Sequence, residues 1–310
     1  MKKKVVFMGT PDFAVPVLQM LIDTMDVVLV VTQPDKCVGR KQILLQSPVK
    51  VLAQKYNIEV FQPIKIRQDY ERLEQLQPDL IVTCAYGQIL PKEVLSIPDC
   101  GAVNVHASLL PKYRGSAPIQ WAILNGDAKT GITLIYMDEG MDSGDIIALA
   151  ECDIASGDDV GILHDKLSAL GASLLKEKLE DILVKKVKAV PQKHEEATFA
   201  PMIKRVDEKI DFMLSGESIV QKIKAFCPWP LAYFILNGEE IKVLEATFIA
   251  KKHCEVNKIC EVTKDSIGIG ASNGIVYLKK IKPASKKMMS VQSYLNGVDA
   301  KGLLGKKVNE

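Results

Sequence analysis

The sequence predicts an α/β chain of two domains: a doubly wound, mostly parallel sheet followed by a smaller β-barrel. Three observations carry this. In the first half, apolar runs of strand length alternate with segments of helical spacing, the pattern of a parallel sheet covered on both faces. Beyond Ala189 the chain changes to short strand-like pieces with Asn-Gly pairs between them, the pattern of antiparallel hairpins. The length, 310 residues, is about two domains' worth.

Val5 to Met8 reads as the first strand, and Gly9-Thr10-Pro11 as the turn that ends it. Phe13 to Ile22 has helix spacing, with apolar residues at 14, 17, 18, 21 and 22. Val27 to Thr32 is the next strand, Gln33 to Gln46 a polar loop, and Pro48 to Tyr56 a helix. Leu80 to Cys84, Gly101 to Val105 and Ile132 to Met137 are further buried strands. Val160 to Val184 is a long helix whose stripe contains His164, Leu167, Leu170, Leu174 and Leu175. Pro191 to Ile203 has two prolines and no periodicity, so it reads as a linker. Short strands follow at Ala232–Ile235, Glu240–Leu244, Ile259–Val262, Ser266–Ala271 and Gly274–Lys280. The expected division is a catalytic domain over 1–189, a linker over 190–207 and a basic barrel over 208–310.

Charge sharpens that division. The total is 40 Lys+Arg against 38 Asp+Glu, net +2, which excludes a uniformly basic nucleic-acid coat. Residues 1–189 carry 21 against 24, net −3; residues 208–310 carry 16 against 11, net +5. Lys279, Lys280, Lys282, Lys286 and Lys287 cluster where a phosphate backbone could meet them, although a solvated lysine-rich loop has the same composition. The longest aliphatic run, Val27 to Val31, is far short of the roughly 20 residues of a membrane span, so no membrane partner is expected. Seven scattered cysteines with no CxxC pair point to a reducing, cytoplasmic setting without a disulfide framework or a zinc site.

The chemistry concentrates at two strand ends. Asn104 and His106 stand two apart, so both project from one face at the carboxyl end of a buried strand. There, doubly wound sheets bind their ligands. An amide donor beside an imidazole suits acyl transfer: one holds an oxyanion, the other moves a proton. A structural Asn and a satisfied His at a strand end would look the same. Asp138-Glu139-Gly140-Met141-Asp142-Ser143-Gly144-Asp145 forms a tight acidic loop after another strand, and a carboxylate from it could orient the imidazole. Spacing alone does not choose among its aspartates, and an acidic turn or cation site has the same pattern. No nucleophile elbow, phosphate-binding glycine loop or dinucleotide fingerprint is present.

With these residues assembled, the chain resembles the methionyl-tRNA formyltransferases nearly end to end. The resemblance rests on Met8 to Ala14, on Val31 to Asp35 and Ser47 to Lys50 around an inserted loop, and on Ala85 to Pro91. It continues through Asn104-Val105-His106 with Ser108 to Pro111 and Arg114-Gly115, Gly140 to Asp145, Ala225 to Pro230, and Lys287 to Ser290. It implies a formyltransferase-like sheet with an OB-like barrel. It also implies transfer of formyl from 10-formyltetrahydrofolate to initiator methionyl-tRNA, by a cytoplasmic monomer without a metal. Carried over residue by residue, Asn104, His106 and Asp142 are the catalytic set. Ser108, Leu109, Leu110 and Pro111 line the folate site, flanked by Leu90 and Asp138. Arg40 and Lys41 in the loop, with Lys279, Lys280, Lys282, Lys286 and Lys287, meet tRNA. The sequence departs from the family pattern after Arg40, where Lys41-Gln42 replaces the usual Gly-Lys, and at Ser116 and Cys227.

Three rivals are defined by what they lack. A formyltransferase acting on a small amine would share the catalytic set but need neither the Arg40 loop nor the basic domain. A hydrolase would release formate from folate alone. A non-catalytic tRNA-binding protein would have no use for the polar strand end.

Overall fold

The protein is described here from a computed structural model covering residues 3–38, 42–250 and 254–310. It divides into two compact units. The first holds the chain up to Pro118, Lys129–Asp153 and His164–Pro201; the second holds Ile119–Ala128, Ile154–Leu163 and Met202–Glu310. Part of the segment expected as a linker, up to Pro201, therefore belongs to the first unit, and two inserts from the first half belong to the second.

In chain order the strands of the first unit are β1 (Lys4–Gly9), β2 (Asp26–Val31), β3 (Lys36–Val38), β4 (Ile43–Leu45), β5 (Val60–Phe61), β6 (Leu80–Cys84), β7 (Ala102–His106), β8 (Arg114–Gly115), β9 (Lys129–Tyr136), β10 (Ile146–Asp153) and β11 (Phe199–Ala200). Seven of them form one sheet in the order β10-β9-β7-β6-β1-β2-β5. From β5 to β7 the pairing is parallel, and β9 and β10 close one side antiparallel. Val5 to Met8 and Leu80 to Val82 are fully buried, as strands covered on both faces must be. The chain runs from β1 outward to β2 and β5, then returns to β6 on the other side of β1. That reversal opens a crevice at the carboxyl ends of β1 and β6, where such sheets bind ligands.

Flanking helices fix this end of the sheet. The helix Pro48–Lys55 starts on Ser47, whose hydroxyl accepts from Lys50 N while also bonding Thr32 Oγ1 at 2.8 Å. The helix Val160–Leu183 is tied to the turn after β1 through Ser168 Oγ, which donates to Phe13 O at 2.7 Å. The strand β10 was not expected from sequence. It is an edge strand that begins with the apolar run Ile146 to Ala150 and ends with Glu151 and Asp153 facing solvent. The segment read as a polar loop, Gln33 to Gln46, contains the antiparallel pair β3–β4, with Ile43, Leu44 and Leu45 about 60% exposed. Arg40 and Lys41 lie outside the described residues.

The second unit contains β12 (Ala232–Leu236), β13 (Glu239–Ala250), β14 (Ile259–Val262), β15 (Ile267–Ala271), β16 (Gly274–Pro283) and β17 (Met289–Ser290). They pair antiparallel in the order β12-β13-β16-β15-β14, with β17 on β16. Asn237 and Gly238, at φ 51° and 77°, make the tight turn between β12 and β13 that the Asn-Gly pair predicts. In this order β12 and β14 are the outermost strands. The tail laces both edges: Gly305 N donates to Ile259 O, Ile259 N to Lys306 O, Val308 N to Asn257 O and Asn309 N to Ile235 O. Cys254 and Cys260 bring their side chains together. Six residues apart with Cα atoms at 6.0 Å, they meet across a turn that spacing alone does not disclose. Among the described residues no helix is long and apolar enough to cross a membrane.

Candidate active site

The strand β7 delivers Asn104 and His106 to one face at its carboxyl end. Asn104 lies in register with Thr83 of β6 on one side and Ile135 of β9 on the other. Thr83 is 3% exposed, and its hydroxyl donates to Asn104 Oδ1 at 2.8 Å. That bond sets the amide: oxygen toward Thr83, nitrogen toward the crevice. Asn104 Nδ2 then donates to Asp142 Oδ1 at 3.2 Å.

His106 is buried, and its Nε2 faces the Tyr113 carbonyl at 3.0 Å. A carbonyl only accepts, so Nε2 carries a hydrogen and Nδ1 is the nitrogen turned to Asp142. The Nδ1 to Asp142 Oδ1 distance is 3.5 Å, an ion-pair separation longer than a tight hydrogen bond. Asp142 Oδ2 accepts from Gly115 N at 2.9 Å. One carboxylate thus faces an amide donor, an imidazole nitrogen and a backbone N–H.

Geometry separates the three aspartates that spacing left open. Asp138 is turned back into its own loop, accepting from Gly140 N and from Ser143 Oγ. Asp145 spends its carbonyl on Tyr136 N at the start of β10. Only Asp142 of the three meets Asn104 and His106. The loop is tight because a Cβ at Gly144 would collide with the Tyr136 carbonyl oxygen. Asp142 itself adopts φ 50°, a left-handed conformation that costs Asp less than most residues but still carries some strain.

The residues assigned to folate by resemblance fall into two groups. Ser108 is fully buried, with its hydroxyl donating to Lys112 O at 2.6 Å, while Thr133 Oγ1 pins the Ser108 carbonyl and the Leu110 N–H. Leu109, Leu110 and Pro111 therefore sit on a loop fixed to β9 beside the site. Leu90 belongs to the apolar core with Tyr86, Met8 and Val31 beneath the crevice. Tyr86 follows β6 at the same end of the sheet. Its carbonyl accepts from Thr10 Oγ1 and Gln33 Nε2, while its buried hydroxyl has no hydrogen-bond partner among the described residues. Burial pushes that phenol up from its ordinary value. An orphaned hydroxyl beside apolar walls fits a ligand with an apolar ring and polar edges. A different depression lined by Glu74, Asp79 and Asp99 adjoins the amino end of β6 and contains none of the expected site residues.

The lysine cluster is split by strand parity. On β16, Lys280 and Lys282 are exposed on the face opposite buried Ile281. Lys279 shares the parity of Ile281 and pairs with Asp265 at 3.1 Å. Lys286 and Lys287 are exposed beyond the strand, with Lys286 Nζ 5.9 Å from the Tyr294 ring centre.

Sequence reasoning missed Thr83, Tyr113, Gly115 and Gln192. Thr83 left a signal as the one polar residue in the apolar run Leu80 to Cys84. Gln192, in a segment without periodicity, left none.

The formyl transferase domain family matches residues 2–179, and the formyl transferase C-terminal domain family matches residues 202–299. A Bacillus pumilus protein named methionyl-tRNA formyltransferase is 48% identical over 302 residues, covering 96% of this chain and 95% of that protein. The chain belongs to the methionyl-tRNA formyltransferase branch of the formyl transferase family. A Staphylococcus epidermidis protein of the same name is 46% identical over 98% of both chains. Among solved structures, the N-formyltransferase of Helicobacter canadensis, determined with folinic acid and dTDP-3-aminofucose, shares the fold. It has a TM-score of 0.68 at 22% identity, over 90% of this chain and 98% of that one.

Proposed function

We propose that this enzyme transfers the formyl group of 10-formyltetrahydrofolate to the methionine amine of initiator methionyl-tRNA, with Asn104, His106 and Asp142 as its catalytic residues. The observation that carries the reading is the Asp142 carboxylate, met at once by Asn104 Nδ2, His106 Nδ1 and Gly115 N. Folate supplies the formyl carbon and the departing nitrogen. Asn104 has a second N–H on Nδ2 to donate to the oxygen that gains charge as the amine adds. His106, anchored through Nε2, turns Nδ1 with its proton to Asp142. Asp142 orients the imidazole and balances its charge, so the pair carries the amine's proton toward the leaving nitrogen. The loop Leu109 to Pro111, with Leu90 and the Asp138 turn, borders the folate.

Arg40 and Lys41, with the exposed lysines of the second unit, grip the tRNA, and the reaction proceeds in the cytoplasm. Labelled formyl transfer to Met-tRNA, with initiator and elongator tRNA compared, tests the reading. Incorporation into initiator Met-tRNA is expected. Incorporation into neither tRNA, or formate release with folate alone at the same rate, would overturn it.

A further inference from the structure

We infer that Gln192 is a positioning residue for formyl transfer, clamping the backbone of the turn that carries Asp142; this rests on the catalytic reading of Asp142. Gln192 is 5% exposed and lies between the two spans matched by the domain families. Its Nε2 donates to two carbonyls that bracket Ser143: Asp142 O at 2.9 Å and Gly144 O at 2.8 Å. Its Oε1 accepts from Arg114 Nε at 3.1 Å and Nη2 at 2.7 Å. All four hydrogen-bonding positions of the amide are thereby used. A guanidinium only donates, so Arg114 forces Oε1 toward itself and Nε2 toward the Asp142 turn. Arg114 is itself 6% exposed and also meets His194 Nδ1 at 3.2 Å.

The clamp answers the strain noted above. Asp142 holds φ 50°, and the two carbonyls seized by Gln192 are its own and the one two residues on. The same stretch of chain braces the other side of the site. Thr198 O accepts from Arg114 N, Thr198 Oγ1 from Tyr113 N, and Ala200 O from Ser116 N. Tyr113 holds His106, and Gly115 holds Asp142. Residues 192–200 therefore support both partners of the His106–Asp142 pair from behind, and Gln192 is the one that reaches the carboxylate's own backbone.

The test is Gln192→Glu in the full chain. It keeps size and the bond to Arg114 but sets an oxygen against two carbonyls. A displacement of order 1 Å at the carboxylate lowers turnover by about 100-fold. The expected result is a fall in kcat of that order, with KM for 10-formyltetrahydrofolate and Met-tRNA little changed and an altered pH profile of kcat. Gln192→Glu is then combined with Asp142→Asn: if Gln192 acts through the carboxylate, it adds little in that background. Should Gln192→Glu unfold the protein, Arg114→Lys, which loses the fork but keeps the charge, must show the same kcat-selective loss and the same non-additivity. Equal losses with and without Asp142, or a native kcat in Gln192→Glu while Asp142→Asn is inactive, would overturn the inference alone. An active Asp142→Asn would instead overturn the catalytic reading beneath it.

Discussion

In the first unit Thr83, His106, Arg114 and Gln192 are each at most 6% exposed, and every one is bonded to another polar group. In the second unit Lys280, Lys282, Lys286 and Lys287 stand in solvent. Both sets are polar, but they work in different dielectric surroundings. Buried groups act over one or two bonds and are costly to disturb. Exposed lysines act on a polyanion through summed, salt-screened attraction, in which no single member dominates. The difference teaches where steep and shallow effects should fall under the proposed assignments: turnover should depend on a few buried atoms, and tRNA affinity on many exposed ones.

The steepest test is Asn104→Ala. Removing one oxyanion donor lowers kcat by about 10²–10³ in comparable sites, and thermal stability should change little. Near-native turnover in both Asn104→Ala and His106→Ala would break the comparison at its catalytic end. Next is Thr83→Val, which keeps the shape and removes the hydroxyl that sets the Asn104 amide, together with its longer contacts to Val103 O and Met137 Sδ. About a tenfold loss in kcat is expected, the worth of one buried hydrogen bond, with KM for Met-tRNA unchanged. A loss confined to KM would show that Thr83 does not act through Asn104.

On the second unit, Lys280→Glu with Lys282→Glu should raise KM for Met-tRNA by roughly three- to tenfold and flatten its salt dependence by about one phosphate contact per lysine. Their kcat should hold. Arg40→Ala should likewise impair tRNA use and spare folate binding. The mildest test is alkylation. Cys37 on β3 is exposed, whereas burial pushes the Cys227 thiol up to about 11. Cys37 should therefore react first at neutral pH. Saturating Met-tRNA should slow it several-fold if the β3–β4 segment meets the acceptor end (, an effect of order unity to ten). Unchanged alkylation of Cys37 under saturating tRNA would remove that segment from the interface.

Legibility in the sequence followed the same divide. The strands β1, β2 and β6 were readable because burial makes them apolar over most of their length. The two-residue strands β8 and β11 were not, because so short a pairing leaves no period to read. Asn104 and His106 were readable because a period of two puts them together within one strand. Spacing alone did not choose Asp142 over Asp138 and Asp145; the family resemblance did, and in the folded turn Asp142 is the one that meets Asn104 and His106. Gln192 was beyond reach, because its meaning lies in two carbonyls about 50 residues earlier in the chain. The barrel was half readable: the hairpins announce themselves through Asn237-Gly238, while the tail that laces β14 to β12 has no pattern of its own.

The second unit also takes Ile119–Ala128 and Ile154–Leu163 from inside the first half of the chain. These inserts are tied in: Gly161 N donates to Cys227 O, and Lys224 Nζ to Ser156 O. Residues 202–310 thus share their packing with two stretches that come earlier in the chain, and carried alone to another protein they would lose the bonds that Gly161 and Ser156 make to them.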